Sequence, residues 1–240
     1  MAVKEHLPRE IKSAQTQKKI IDTSISILAK YDFKYLTVRN ICDEAEVAYG
    51  SFYHHFKTKE NVLLFCGKEL LSKNIEANLF PAEFDQEDYL HICIWYAIII
   101  ALFCDYLGKD FVRTIFLNNE GSNDLFENVY KDFMFPALES AAKNGFIRVP
   151  ALINVTLDEL LDRTKKDVQI VTRGTVLWWC CSDEGGKVEP FAETMEHMIY
   201  HTLVSSQSDK ARLSNNFGLR LHETKQFANI KIVTFDNLVK

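Results

Sequence analysis

An all-α fold is the expectation from three features of this 240-residue chain. Apolar residues recur at helical spacing almost throughout. Only nine Gly and five Pro interrupt them, and strand-like alternation is confined to one short stretch near the end. The composition, 47% hydrophobic and 25% charged, is that of a globular protein with ample material for a core.

The pattern places each element in turn. A first helix is expected from about Glu10 to Tyr31, with Ile21, Ser24, Ile25 and Leu28 facing inward and Ile20 and Ile27 beside them. Lys12, Lys18 and Lys19 lie near its start, and Asp32 to Leu36 breaks it. Thr37 can cap a short helix, TVRNICDEA, because its hydroxyl can accept an unpaired N–H of the first turn. Val38, Ile41, Cys42 and Ala45 give that helix an apolar face. Glu46-Val47 makes a tight connection to a second short helix over 48–55, and Thr58 starts the next, through Val62, Leu63, Phe65, Cys66, Leu70 and Leu71 towards Leu79.

After Pro81, helices are expected at about 86–107, 109–118 and 123–144. Pro136 should bend the last, because it removes one intrahelical donor, and Gly145 should cap it. A long helix over about 156–182 and another over 190–206 follow. NIKIVTF (229–235) alternates like a strand but has no obvious partner strand, so 208–240 is read as a C-terminal extension of unknown structure, a tail that an added helix or strand could dock on the body.

Several function classes drop out. The longest apolar run, Ile92 to Cys104, is shorter than a bilayer span and reads as a buried helix. MAVKEHLPREIK lacks the apolar stretch of a signal peptide. Six cysteines without CxxC spacing fit reduced core thiols, so a cytoplasmic protein with no membrane partner is expected. No Gly-rich phosphate loop, nucleophile elbow or paired catalytic carboxylates occur, so no catalytic residue, enzyme activity or cofactor is expected. Glu193, His197 and His201 share a helical face but lack a third strong ligand, so no metal site is expected either. The adjacent Cys180 and Cys181 read as inert core thiols or as a redox pair.

Charge is distributed unevenly. Residues 1–70 hold 11 basic and 9 acidic side chains, residues 71–207 hold 11 and 21, and residues 208–240 hold 6 and 3. A mildly basic end on an acidic body suits a protein that turns one end to a polyanion.

Two short helices joined by a tight turn after a longer helix make the helix-turn-helix plan, whose second short helix enters the DNA major groove. In the 48–55 helix, Phe52 and Phe56 point inward and Gly50 and His54 take the opposite face. Gly50, lacking a side chain, lets the backbone approach DNA closely.

The stretch TVRNICDEAEVAYGSFYHHFKTKENV resembles the DNA-binding domain of the tetracycline-repressor (TetR) family. Thr37, Ile41, Val47, Gly50, Phe52-Tyr53, His55-Phe56 and Lys59-Glu60 occupy the family's pattern positions, and KKIIDTSISILAKYDF resembles its first helix. The resemblance implies phosphate contacts at Thr37, Tyr53 and Lys59, with Arg39 a further candidate. It implies base contacts at Tyr49, Ser51 and His54. Two departures stand out: Glu46 where the family usually has Gly, and Ala48 where Ser or Thr caps the recognition helix.

The resemblance also implies an organisation: a DNA-binding domain at 1–60, a helical ligand-binding and dimerisation domain at 61–207, and the 208–240 extension. The expected partners are a palindromic operator in double-stranded DNA, a small-molecule effector and a second copy of the chain. Trp95, Phe103, Phe116, Phe133 and Trp178 are candidates to line the ligand pocket, or to fill the core. Trp179, Met195, Met198 and Ile199 are candidate dimer residues on the last two helices. The function so implied is a regulator, usually a repressor, released from DNA by its ligand. Alternatives are a regulator answering to a protein partner or to oxidation, and a ligand-sequestering protein that has lost DNA recognition.

Overall fold

A computed structural model describes residues 9–79, 89–117, 125–147, 155–182, 188–204 and 230–239. The described residues are helical apart from turns and one extended segment. In order they form α1 (Arg9–Lys30), α2 (Val38–Ala45), α3 (Tyr49–His55), α4 (Lys59–Ala77), α5 (Tyr89–Leu107) and α6 (Lys109–Leu117). Then come α7 (Glu127–Val129), a π-helical turn (Tyr130–Met134), α8 (Phe135–Lys143), α9 (Leu157–Cys181) and α10 (Val188–Val204). Short 3₁₀ turns occupy Phe33–Tyr35 and Phe235–Asn237.

Caps explain most of the boundaries. The Thr37 hydroxyl accepts the Asn40 N–H at 3.1 Å, and the Thr58 hydroxyl accepts that of Asn61 at 3.3 Å. Thr156 and Glu159 form a reciprocal capping box at the start of α9. Gly145, at φ +78°, ends α8, with Phe146 N–H reaching the Ala141 carbonyl at 2.9 Å. Pro136 does more than bend its helix. The turn before it widens, so the Phe135 N–H bonds the Tyr130 carbonyl five residues back, and the helix expected over 123–144 becomes α7, the π turn and α8.

The chain packs as two units, Met1–Ser72 with Thr114–Gly121 and Val233–Lys240, and Lys73–Arg113 with Ser122–Ile232. The first division falls after Ser72, and the first half of α4 packs with the short helices: the Phe65 ring meets Phe56 at 5.6 Å. In this unit Ile20, Ser24 and Ile27 of α1 are fully buried. Ile21 and Leu28 are only half-buried, so the inner stripe is turned by about one residue from the expected one. The Ser24 hydroxyl is satisfied by the Ile20 carbonyl at 2.7 Å. Phe235 packs into the same unit against α1.

In the second unit α5 is the centre, with fourteen of its side chains buried, and it packs mainly on α10. At 19 residues and a mean hydropathy of 2.0 it is long and apolar enough to cross a bilayer, longer than the apolar run alone suggested. Its apolar stretch is nonetheless 72% buried inside the protein. The 230–234 segment is extended but joins no sheet among the described residues. The Asn78 side chain holds it instead, accepting the Lys231 N–H at 2.9 Å and donating to the Lys231 carbonyl at 2.9 Å. The residues 205–229, most of the expected extension, lie outside the described residues.

Candidate nucleic-acid interface

The turn between α2 and α3 is built on an unusual residue. Glu46 adopts the left-handed conformation, φ 49° and ψ 45°, at the position that closes α2. Its own N–H reaches back to the Asp43 carbonyl, and the Val47 N–H reaches the Cys42 carbonyl at 3.0 Å. Glycine enters this conformation without a Cβ penalty, which is the physical reason a glycine suits the site, and a glutamate there stores strain on the order of 1 kcal/mol. The Glu46 carboxylate is exposed and lies 3.7 Å from Lys19 Nζ. Ala48 is extended at the N-cap of α3, and no side chain caps that helix.

What holds α3 is one face. Phe52 is fully buried and Phe56 nearly so, with ring centroids 5.9 Å apart. The remaining surface faces solvent: Tyr49 is 47% exposed and Tyr53 55%, with Gly50 and His54 exposed and Ser51 half-buried. A Cβ on Gly50 would meet nothing within 4 Å, so the chain's own packing does not require glycine there.

The structure adds what local spacing could not. Lys12, Ser13 and Thr16 of α1 lie alongside Gly50, Ser51, His54 and His55 of α3, and together they line a groove of about 460 Å³. Ser13 and Thr16 were not singled out by the sequence, because α1 meets α3 only in the folded unit. Burial, and then the neighbouring His54, hold the His55 pKa below its ordinary value. Thr37 is exposed at the start of α2, and Lys59 is half-buried at the start of α4. Arg39 is exposed and 3.6 Å from Asp43, an exposed pair that costs little to open. The face therefore offers cations, hydroxyls and imidazoles around a short helix, the donor set that binds phosphates and base edges.

The five aromatic residues expected at a ligand pocket differ in their surroundings among the described residues. Trp95 and Phe103 are buried, with Trp95 Nε1–H donating to the Asn78 carbonyl at 2.9 Å. Phe116 belongs to the first unit, and Trp178 is 56% exposed. Only Phe133 lines the groove found in the second unit, a space of about 290 Å³ bounded also by Ile92, Tyr96, Asp132, Pro136, Ala137 and Ser140.

The expected dimer residues divide as well. Trp179, Met195 and Ile199 are buried within the chain, and only Met198 is exposed. Trp179 stacks on Phe191 with centroids 4.7 Å apart. Trp179 is buried and Trp178 exposed because α9 turns Val168, Thr172, Val176 and Trp179 to the core. Its outer face carries Ile170, Gly174, Leu177 and Trp178 at i, i+4, i+7 and i+8, with Ile170 67% exposed. That spacing was available in the sequence.

Other candidate chemistry is limited. His197 and His201 face each other with Nε2 atoms 2.9 Å apart, and among the described residues no group of three metal-ligating side chains is placed around an ion. Five cysteines are buried, and Cys181 is exposed, unlike the expected core thiol. Burial pushes the Cys93 thiol up to about 12 and Cys180 to about 11, which keeps both protonated at neutral pH.

Residues 20–65 match the family model described as bacterial regulatory proteins, tetR family. Over 71 residues the chain is 38% identical to an uncharacterized HTH-type transcriptional regulator, YerO, of Bacillus subtilis (strain 168). That match covers 27% of this chain and 25% of YerO, about a quarter of the relative's length. The fold is similar to that of FadR of Thermus thermophilus, a TetR-family repressor solved with lauroyl-CoA: TM-score 0.54, 18% identity, 78% of this chain and 93% of that one. It is similar also to RolR solved with resorcinol: TM-score 0.52, 15% identity, 95% of this chain and 100% of that one.

Proposed function

We propose that the chain, whose residues 20–65 match the tetR family model, is a homodimeric, cytoplasmic repressor of that family that leaves a palindromic operator when a small molecule binds its second helical unit. The observation that carries the DNA-binding part of this reading is the division of α3. Phe52 and Phe56 anchor it, while Tyr49, Gly50, Tyr53 and His54 stand exposed beside Lys12 and Thr16. Thr37, Arg39, Tyr53 and Lys59 would hold phosphates; Tyr49, Ser51 and His54 would meet base edges; Gly50 would allow close backbone approach.

A dimer would place two such helices on half-sites about one DNA turn apart. The exposed stripe of Ile170, Gly174, Leu177 and Trp178, with Met198, supports α9 and α10 as the pairing surface. Release would follow from a population shift. To take the DNA-competent form from 99:1 to 1:99, an effector must favour the other form by about 5.5 kcal/mol. The ligands bound by the FadR and RolR structures support a small-molecule effector in this fold.

The test is selection of bound duplexes from a random DNA pool by the purified protein at near-physiological salt. Enrichment of a palindrome is expected, with affinity falling steeply as salt rises. No enrichment from folded, dimeric protein would overturn the reading. It would favour a ligand-sequestering protein instead, a reading to which the exposed Glu46 carboxylate and the uncapped Ala48 lend support.

A further inference from the structure

We propose that the groove between α5 and the π turn–α8 segment binds an aromatic organic cation of the alkylammonium type. The inference rests on the effector reading above and names the effector's chemistry. Tyr96 and Phe133 form one wall, with ring centroids 4.6 Å apart and planes 34° from parallel. Ile92 and Pro136 add aliphatic surface. The space, about 290 Å³, suits a single substituted ring rather than a long acyl chain.

Asp132 supplies the charge. Among the described lining residues it is the one carboxylate, and no Lys, Arg or His is among them. Its chain neighbour Lys131 is turned to Glu127, with Nζ 2.5 Å from Oε1. The groove thus presents a carboxylate and aromatic rings, both of which attract an ammonium group, while Lys131, which feels the Asp132 charge, keeps its hydrogen bond on Glu127. An anionic effector would meet Asp132 with no cation in the lining to offset it. The 71–207 stretch, with 11 basic against 21 acidic residues, adds a field of the same sign. The π turn places Asp132 and Phe133 on this wall, and π turns recur at functional sites.

The probes are benzyltrimethylammonium and its neutral carbon isostere, neopentylbenzene, titrated calorimetrically into the full chain. The cation is expected to bind more tightly than the isostere. Asp132→Asn should weaken the cation about five-fold and leave the isostere unchanged, as an exposed charge contact predicts. Phe133→Leu should weaken the cation through loss of the ring face. Equal binding of the two probes, no binding of the cation, or no effect of Asp132→Asn would overturn the proposal. Operator affinity, measured separately with and without the cation, isolates the underlying reading. Asp132-dependent binding that leaves DNA affinity unchanged upholds the groove and removes ligand-driven release. Specific DNA binding by a protein that ignores the cation upholds the regulator and removes the groove.

Discussion

The short helix α3 and the long helix α9 solve the problem of orientation differently. In its seven residues α3 has one buried side chain, Phe52, and Phe56 follows at its end; its N-terminus has no side-chain cap. In its 25 residues α9 has a full capping box, and Lys109 and Arg113 donate to the Ser182 and Cys180 carbonyls at its C-terminal end. A helix with one apolar anchor has one way to face a core, so its outer surface follows from sequence. A helix with two apolar stripes has two ways, and only its neighbours choose between them.

The comparison is sharpest at the anchors. Phe52→Ala should cost about 3–5 kcal/mol, whereas Tyr53→Ala on the exposed side should change stability by less than about 0.5 kcal/mol. Chemical denaturation of both variants measures the gap, and equal losses would mean that α3 does not sit on Phe52. The corresponding pair on α9 is Trp179→Ala and Trp178→Ala. The first should lose about 3–5 kcal/mol through the cavity left beside Phe191. The second should leave the fold intact and weaken self-association by sedimentation; self-association indifferent to Trp178→Ala would place the pairing surface elsewhere.

Smaller effects test the imperfect start of α3. Glu46→Gly should raise stability by about 1 kcal/mol by relieving the left-handed backbone, and Ala48→Ser by about 1 kcal/mol by supplying the missing cap. Both should tighten duplex binding, Glu46→Gly more steeply at low salt because it also removes a negative charge. Stability unchanged in both variants would mean that the turn carries no strain and the helix needs no cap.

The smallest effect is protonic. His55 has a folded pKa held below 6.5, so the folded chain binds fewer protons there than the unfolded one. Its contribution to stability should therefore rise with pH between the depressed folded value and about 6.5, and be level above that. His55→Gln should remove that slope in denaturation midpoints measured from pH 5 to 8. A slope kept by the variant would assign it to another group.

The division between what was legible and what was not follows the range of the forces involved. Helix spacing, caps and turns act within a few residues. From them came the all-α class, Thr37, Thr58 and Thr156 as helix starts, the Gly145 stop and the inward Phe52 and Phe56. The α2–turn–α3 face was legible for the same reason, since its anchors and exposed side chains lie within one short segment. Tertiary packing decided the rest. Lys12 and Thr16 join His54 only because α1 folds back on α3. Trp95 and Phe103 are buried while Trp178 is exposed, and Asp132 enters a groove that no spacing rule announces. Trp178 and Trp179 are adjacent and chemically alike, yet 100° of helical rotation sends one to solvent and the other into the core. Amphipathic period shows where a helix has faces. Which face is buried depends on the other helices, whose contacts are long-range in sequence and are set only when the whole core closes.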